Sequence, residues 1–316
     1  MYNIGIDIGG SKIAVGIVDE SGNIVYKDQI HNDSKISSER EIKNILKEIK
    51  NVILSYNLDY SDINSIGVSF PGKVSKEGIE IAPNISMTNI NLAKRLSRYI
   101  QIPIYVENDG NCAAVAEYVH GCLQGTKDSI CVTLGTGFGG GIIIDGKLYT
   151  GANGGAAEFG HQVIIMDGRE CGCGRHGCLE AYAPTGAWVN RIKEQLEENK
   201  SSKIYELIKG DIDKVNAKTI FKAIDAGDEF AIGSLKEHLR YVAIGIINLF
   251  QIFEPEVIAI GGGISGAKEK FLNPLLDEID KQMKKCIFGL DGTKIKLAEL
   301  GNDAGIIGAA ELYRFK

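Results

Sequence analysis

The sequence predicts an α/β chain of two domains, each built on one copy of a duplicated sheet-plus-helix unit. Three observations carry the prediction. The chain has 316 residues, more than one ordinary hydrophobic core serves. Segments with strand alternation are interleaved with segments of helical periodicity along its whole length. One theme, a strand, a glycine turn, a second strand and an acid, occurs twice. The first copy is Gly5-Ile-Asp-Ile-Gly-Gly-Ser-Lys-Ile-Ala-Val-Gly-Ile-Val-Asp19, and the second is Thr133-Leu-Gly-Thr-Gly-Phe-Gly-Gly-Gly-Ile-Ile-Ile-Asp145. A duplication of this kind is expected to turn its two glycine loops toward one cleft.

The elements follow in order. Residues 2–8 alternate and read as a strand, and Gly9-Gly10 turns into a second strand, Ile13–Asp19. Ser21-Gly22-Asn23 leads to a third near Ile24–Gln29. Ser38 and Glu41 have capping-box spacing, and Ile42, Ile45, Leu46, Ile49, Val52 and Ile53 then recur at helical intervals. Ile63–Ser69 and Ile102–Val106 read as strands, with a helix over Asn111–Val119. Ser129–Leu134 and Ile142–Asp145 are strands flanking the second glycine turn. Helices are expected at Thr185–Glu198, Ala217–Ala226, Glu229–Phe253, Lys268–Lys284 and Ala304–Arg314, and strands at Val257–Ile260 and Ile295–Leu300. The expected division is an N-terminal domain over 1–107, with the last helix (about 304–316) packing back onto it, and a C-terminal domain over 108–303.

Composition narrows the function classes. The formal net charge of −6 argues against a general nucleic-acid binder, which needs a basic face. No charged leader followed by an apolar run opens the chain. The apolar stretch Tyr241–Phe253 is interrupted by Gly245 and Asn248 and is too short for a bilayer. A soluble cytoplasmic protein with no membrane or nucleic-acid partner is expected. In that reducing setting, three cysteines within eight residues read as metal ligands, not as disulfides.

Two of the glycine motifs are decoys. Gly135-Thr-Gly-Phe-Gly-Gly140 has the dinucleotide spacing, but Ile142-Ile-Ile144 follows where that motif needs a helix. Gly5 to Gly10 with Ser11-Lys12 imitates a phosphate loop, yet the Lys/Ser order is reversed and a strand follows. There remains a pair of hairpin turns whose backbone N–H groups can converge on phosphate oxygens. Ser11, Lys12 and Thr136 would add side-chain donors. Either turn alone would be an ordinary hairpin; the matching pair favours a phosphate clamp.

Cys171-Gly-Cys173-Gly-Arg-His-Gly-Cys178 offers three thiolates on a pliable loop. Tetrahedral zinc needs a fourth ligand. His161 is favoured because it closes a larger chelate ring, and His176, inside the loop, is the alternative. Three thiolates and an imidazole leave no open position, which makes the zinc structural. Asp109 follows a strand and precedes a helix, a place from which a carboxylate can act as a base or merely cap the helix. Glu158 and Glu180 could be ordinary surface acids, but the glycine-rich or metal-binding loops beside them favour a site.

Together these segments resemble the ROK family of bacterial sugar kinases and repressors, most of all its glucokinase-like members. The resemblance rests on Asp7-Ile-Gly-Gly-Ser-Lys12, Pro71-Gly72, Pro83-Asn84, Glu107-Asn-Asp-Gly-Asn111, Leu134–Gly141, Glu158-Phe-Gly-His161, Cys171–Glu180 and Gly261–Gly263, in that order. It implies an actin-like, ribonuclease H-like duplicated ATPase fold with a cleft between its domains. It implies ATP-dependent phosphorylation of a hexose, glucose to glucose 6-phosphate first, with Mg²⁺ accompanying ATP and a structural Zn²⁺. Asp109 matches the general base. Gly72, Asn84, Asn108, Glu158, His161 and Glu180 match the sugar contacts. His161, Cys171, Cys173 and Cys178 match the zinc ligands. Asp7, Gly9, Gly10, Ser11, Lys12, Thr136, Gly137, Gly261, Gly262 and Gly263 match the nucleotide and phosphate side. A homodimer and domain closure around sugar are implied as well.

The chain departs from the family pattern in four places. Ser11 stands for a threonine, Ala157 for a glycine before Glu158, Gly110 for an alanine after the base, and Met87 near an expected tryptophan. N-acetylglucosamine, N-acetylmannosamine, allose and fructose stay open as substrates, because the discriminating contacts lie in loops that short motifs do not fix, and polyphosphate or ADP stay open as donors beside ATP. A repressor would need an added helix-turn-helix before Met1. A sugar sensor without catalysis is disfavoured by the presence of Asp109 and both turns. A different actin-like ATPase is disfavoured by the cysteine loop and the Glu158/His161 pair.

Overall fold

The computed structural model describes residues 1–33, 36–81, 85, 87–289 and 292–316. The chain divides into two compact units. One comprises Met1–Cys131, Gly140–Ala157 and Ala298–Lys316, and the other Val132–Gly139 and Glu158–Leu297.

The first unit opens with β1 (Tyr2–Ile8), β2 (Lys12–Val18) and β3 (Ile24–His31), an antiparallel meander. Helix α1 (Ser38–Ser55) leads to β4 (Ile63–Phe70), which pairs parallel to β1. A small hairpin, β5 (Lys73–Ser75) and β6 (Gly78–Ile81), and the short α2 (Leu92–Leu96) precede β7 (Ile104–Asn108) and α3 (Asp109–His120). The sheet order is β3-β2-β1-β4-β7. Alternation along β1 decides which side chains each face presents. Ile4, Ile6 and Ile8 join Ile42, Ile45, Ile49, Val52 and Ile53 of α1 in one core.

The chain continues through β8 (Ser129–Leu134), β9 (Phe138–Ile144) and β10 (Lys147–Leu148). The helices α4 (Thr185–Leu196), α5 (Lys203–Leu207), α6 (Ala217–Asp225) and α7 (Glu229–Phe253) come next. After them stand β11 (Val257–Gly261), α8 (Glu269–Met283), β12 (Lys294–Leu297) and α9 (Ala304–Glu311). The opposite face of the first sheet is closed by α9. A methyl group on Gly67 would lie 1.7 Å from the Ala309 carbonyl oxygen, and one on Gly5 would lie 1.9 Å from that of Ile306. Only glycine permits this approach of helix backbone to strand. The second sheet is ordered β10-β9-β8-β11-β12. Each sheet therefore places the third, second, first and fourth strand of its copy in that succession, as a duplication requires. In the first copy, the hairpin and α2 are an insertion.

Several local expectations are revised. Ser38 is already helical, and the N-cap residue of α1 is Ser37, whose side chain makes no capping bond. Glu41 is fully buried, with Asn32 Nδ2 at 3.4 Å from its Oε1. The strand after the second glycine turn begins at Phe138, inside the glycine run, because ladder pairing and not β-branching sets its start. His238, on α7, is buried and stacked on Trp188 with ring centroids 4.7 Å apart. Burial pushes its imidazole down to about 3, so it stays neutral. His120 is half-buried and bonds Glu311 at 2.8 Å. Met87 is buried in the core beside α1.

Candidate active site

In the first unit, β7 delivers Asn108 and α3 begins at Asp109. The helix cap is Asn108, whose Oδ1 accepts from the N–H groups of Gly110 (2.9 Å) and Asn111 (3.2 Å). Capping is thus supplied by Asn108. Asp109 is exposed, and its Oδ1 accepts from Asn108 Nδ2 (3.0 Å) and the Gly110 N–H (2.9 Å). Asn108 Nδ2 also donates to the Gly72 carbonyl at 3.1 Å, so Gly72, Asn108 and Asp109 meet. Gly110 has a reason to lack a side chain: a methyl group there would stand 2.6 Å from the Gly140 nitrogen. Asn84 lies outside the described residues.

Glu107, which opens the Glu107–Asn111 segment but is assigned no role by the sequence, holds this turn. It is buried, and its Oε1 accepts from the Asn108 N–H (2.9 Å) and from Asn111 Nδ2 (3.0 Å). Its Oε2 pairs with Lys316. A lone acid at the end of a strand carries no mark of burial, so only the fold reveals this role.

The first glycine turn closes with the Gly9 N–H donating to the Lys12 carbonyl at 2.8 Å, leaving Gly10, Ser11 and Lys12 exposed. Asn32 steadies it by donating to the Gly9 carbonyl at 2.8 Å. Asp7 lies on β1 just before the turn and accepts from Ser69 Oγ at 2.8 Å. A methyl group on Gly305, in the first turn of α9, would sit 2.7 Å from the Asp7 carboxyl carbon. Burial raises the Asp7 carboxyl above the ordinary aspartate value, against the opposing pull of Ser69, Lys12 and Lys27. A carboxylate in that position gains by facing a cation.

In the second unit, the Gly135 N–H donates to the Gly137 carbonyl at 3.1 Å and Thr136 is exposed at the tip. Gly262 is left-handed (φ 86°), and a methyl there would lie 2.3 Å from the Leu134 carbonyl oxygen. The Gly261–Gly263 turn thus backs onto the strand that feeds Gly135–Gly137. Glu158 precedes a short 3-10 turn, Phe159–His161, and Glu180 lies in another, Leu179–Ala181. The half-buried Glu180 accepts from the Phe138 N–H at 3.1 Å through Oε2. The exposed Glu158 has its Oε2 3.9 Å from His161 Nε2. Its carboxyl is raised, by desolvation first, with His161 opposing and Glu180 adding repulsion. Ala157 is left-handed at φ 65°, the conformation for which glycine is the usual choice.

The cysteine loop gathers His161, Cys171, Cys173 and Cys178 so that one ligand atom of each lies within 4.8 Å of the others. Cys173 and Cys178 Sγ are 3.8 Å apart, and Cys171 Sγ is 3.6 Å from His161 Nδ1. A tetrahedral zinc with its usual bond lengths has sulfur–sulfur edges of about 3.8 Å and sulfur–nitrogen edges of about 3.6 Å. The donor set and its spacing fit that ion, with Nδ1 turned to the sulfurs and Nε2 toward Glu158. His176 is exposed on the loop and is not among the four gathered residues.

The family model for the ROK family matches residues 3–316. The glucokinase of Streptomyces coelicolor is 36% identical over 318 residues, spanning 98% of this chain and 97% of that one. A ROK glucokinase from Streptomyces griseus, solved in complex with glucose and AMPPNP, superposes with a TM-score of 0.82 at 35% identity over 99% of both chains. The ROK hexokinase of Thermus thermophilus gives a TM-score of 0.82 at 28% identity, over 98% of this chain and 97% of that one. A family-model match over residues 3–316 makes this chain a member of the ROK family, with the actin-like two-domain ATPase fold of its sugar kinases.

Proposed function

We propose that this protein is an ATP-dependent hexose kinase that converts glucose to glucose 6-phosphate, with Asp109 as general base. The observation that carries the reading is similarity over 99% of both chains to a glucokinase seen with glucose and AMPPNP bound. Asp109 accepts the proton of the sugar hydroxyl as its oxygen attacks the γ-phosphorus. The new O–P bond forms as the bond to the β-phosphate oxygen breaks, and ADP leaves with the electron pair. Gly72, Asn84, Asn108, Glu158, His161 and Glu180 take the sugar hydroxyls. The turns at Gly9–Lys12, Thr136–Gly137 and Gly261–Gly263 offer backbone donors to the nucleotide phosphates, and Asp7 would help hold the Mg²⁺ that accompanies ATP, which would neutralise phosphate charge.

Zinc, held by His161, Cys171, Cys173 and Cys178, supplies a fixed cross-link when bound. The loop then presents His161 Nε2 and, two residues after Cys178, Glu180. A homodimer in the cytoplasm, acting in sugar metabolism, completes the proposal. No helix among the described residues is long and apolar enough to cross a membrane.

The test is Mg²⁺-ATP turnover against a panel of hexoses and N-acetylhexosamines, read as ADP release over a no-sugar blank. Turnover with glucose above all others is the expected result. Strict preference for another sugar would replace glucose and leave the kinase standing. Binding without turnover would make the protein a sensor, and ADP release without sugar would make it a different ATPase.

A further inference from the structure

Glu180 stands between two loops to which the proposed function gives different ligands. Its Oε2 accepts from the Phe138 N–H at the end of the Gly135–Gly137 turn, at 3.1 Å. Among the described residues its Oε1 has no protein donor. Two glycines make room for the carboxylate: a methyl on Gly137 would meet Oε2 at 2.9 Å, and one on Gly160 would meet it at 3.0 Å. Neighbouring side chains are tied together as well. Leu179 and the Phe138 ring both pack on Gly245 of α7, where a methyl would lie 2.6 Å and 3.3 Å from them. On its far side, the turn is held by the Gly186 N–H donating to the Gly135 carbonyl at 3.3 Å.

We infer that Glu180 couples the two substrates, with Oε1 receiving a sugar hydroxyl while Oε2 fixes the turn that meets the nucleotide phosphates. The inference rests on the kinase reading above. Two physical effects give the coupling its sign. A hydroxyl on Oε1 fixes the side-chain torsions, so the ordering of the turn is already complete when nucleotide arrives. The carboxylate charge also repels an incoming phosphate, and a second hydrogen bond to the carboxylate spreads that charge. Both make sugar strengthen nucleotide binding, and linkage requires nucleotide to strengthen sugar binding by the same factor.

The experiment is calorimetric titration of the metal-loaded protein with Mg²⁺-AMPPNP, without and with saturating glucose (or the panel's best sugar if glucose is not turned over). The wild-type affinity ratio is expected to be about tenfold. Gly137→Ala pushes the carboxylate off the turn, and the ratio should fall toward one. Glu180→Ala should lose sugar affinity and coupling together, and carries the test if Gly137→Ala does not fold. A wild-type ratio of one with both ligands bound overturns the inference and leaves the kinase reading intact. So does a wild-type ratio retained in either variant. Unchanged sugar affinity in Glu180→Ala removes Glu180 from the sugar and the inference with it. Absence of any sugar binding overturns both readings.

Discussion

Asp109 occupies the first position of α3, one residue after the side chain that caps the helix. Asn108 supplies the cap, and Asp109 is the residue proposed as general base. Asp109→Asn preserves shape but cannot take a proton, so kcat should fall at least about 100-fold while sugar affinity holds. Initial rates and sugar titration on one preparation check both halves, and near-wild-type kcat would remove Asp109 from the role. Ala157 carries a different kind of information. Its left-handed backbone costs a non-glycine residue roughly 1–2 kcal/mol, part of which glycine would return as unfolded-chain entropy. Ala157→Gly should therefore stabilise the protein by about 0.5–1 kcal/mol, read as a rise in Tm. The place of Asp109 in the fold was legible because it follows a strand and opens a helix within a recognisable segment. Glu107 and Glu41 were not, because burial of a single acid depends on the elements the fold brings over it.

The cysteine loop was the most legible element. Ligand chemistry dictates spacing, and spacing is visible in a sequence. Its four candidate ligands are spaced for a tetrahedral ion, so removing one should release the metal and loosen the turn that carries Glu180. Cys173→Ser is expected to lower zinc content and raise the sugar KM together. Metal analysis beside steady-state kinetics tests this, and a zinc-free variant with unchanged KM would separate loop from sugar. Elements governed by pairing or by length were harder to read. The β5–β6 hairpin and α2 are too short to show periodicity. The start of β9 lies among glycines that propensity assigns to a turn.

For the whole molecule, the duplication was the decisive signal, and the equal strand order of the two sheets gives it structural form. Boundaries of the units were not legible in composition. No linker marks them, since the chain passes from one unit to the other after Cys131, Gly139, Ala157 and Leu297. The last of these passages has a consequence for synthesis. Strand β1 leaves the ribosome first, while α9, which packs its backbone against Gly5 and Gly67, is translated near the end. The nascent sheet can meet α1 early, but on its other face the part over β1 and β2 has no helix to cover it until almost the whole chain is made. Vectorial folding of this unit is therefore incomplete by virtue of its connectivity, and final closure is a late event in which a newly made helix slides onto an old strand.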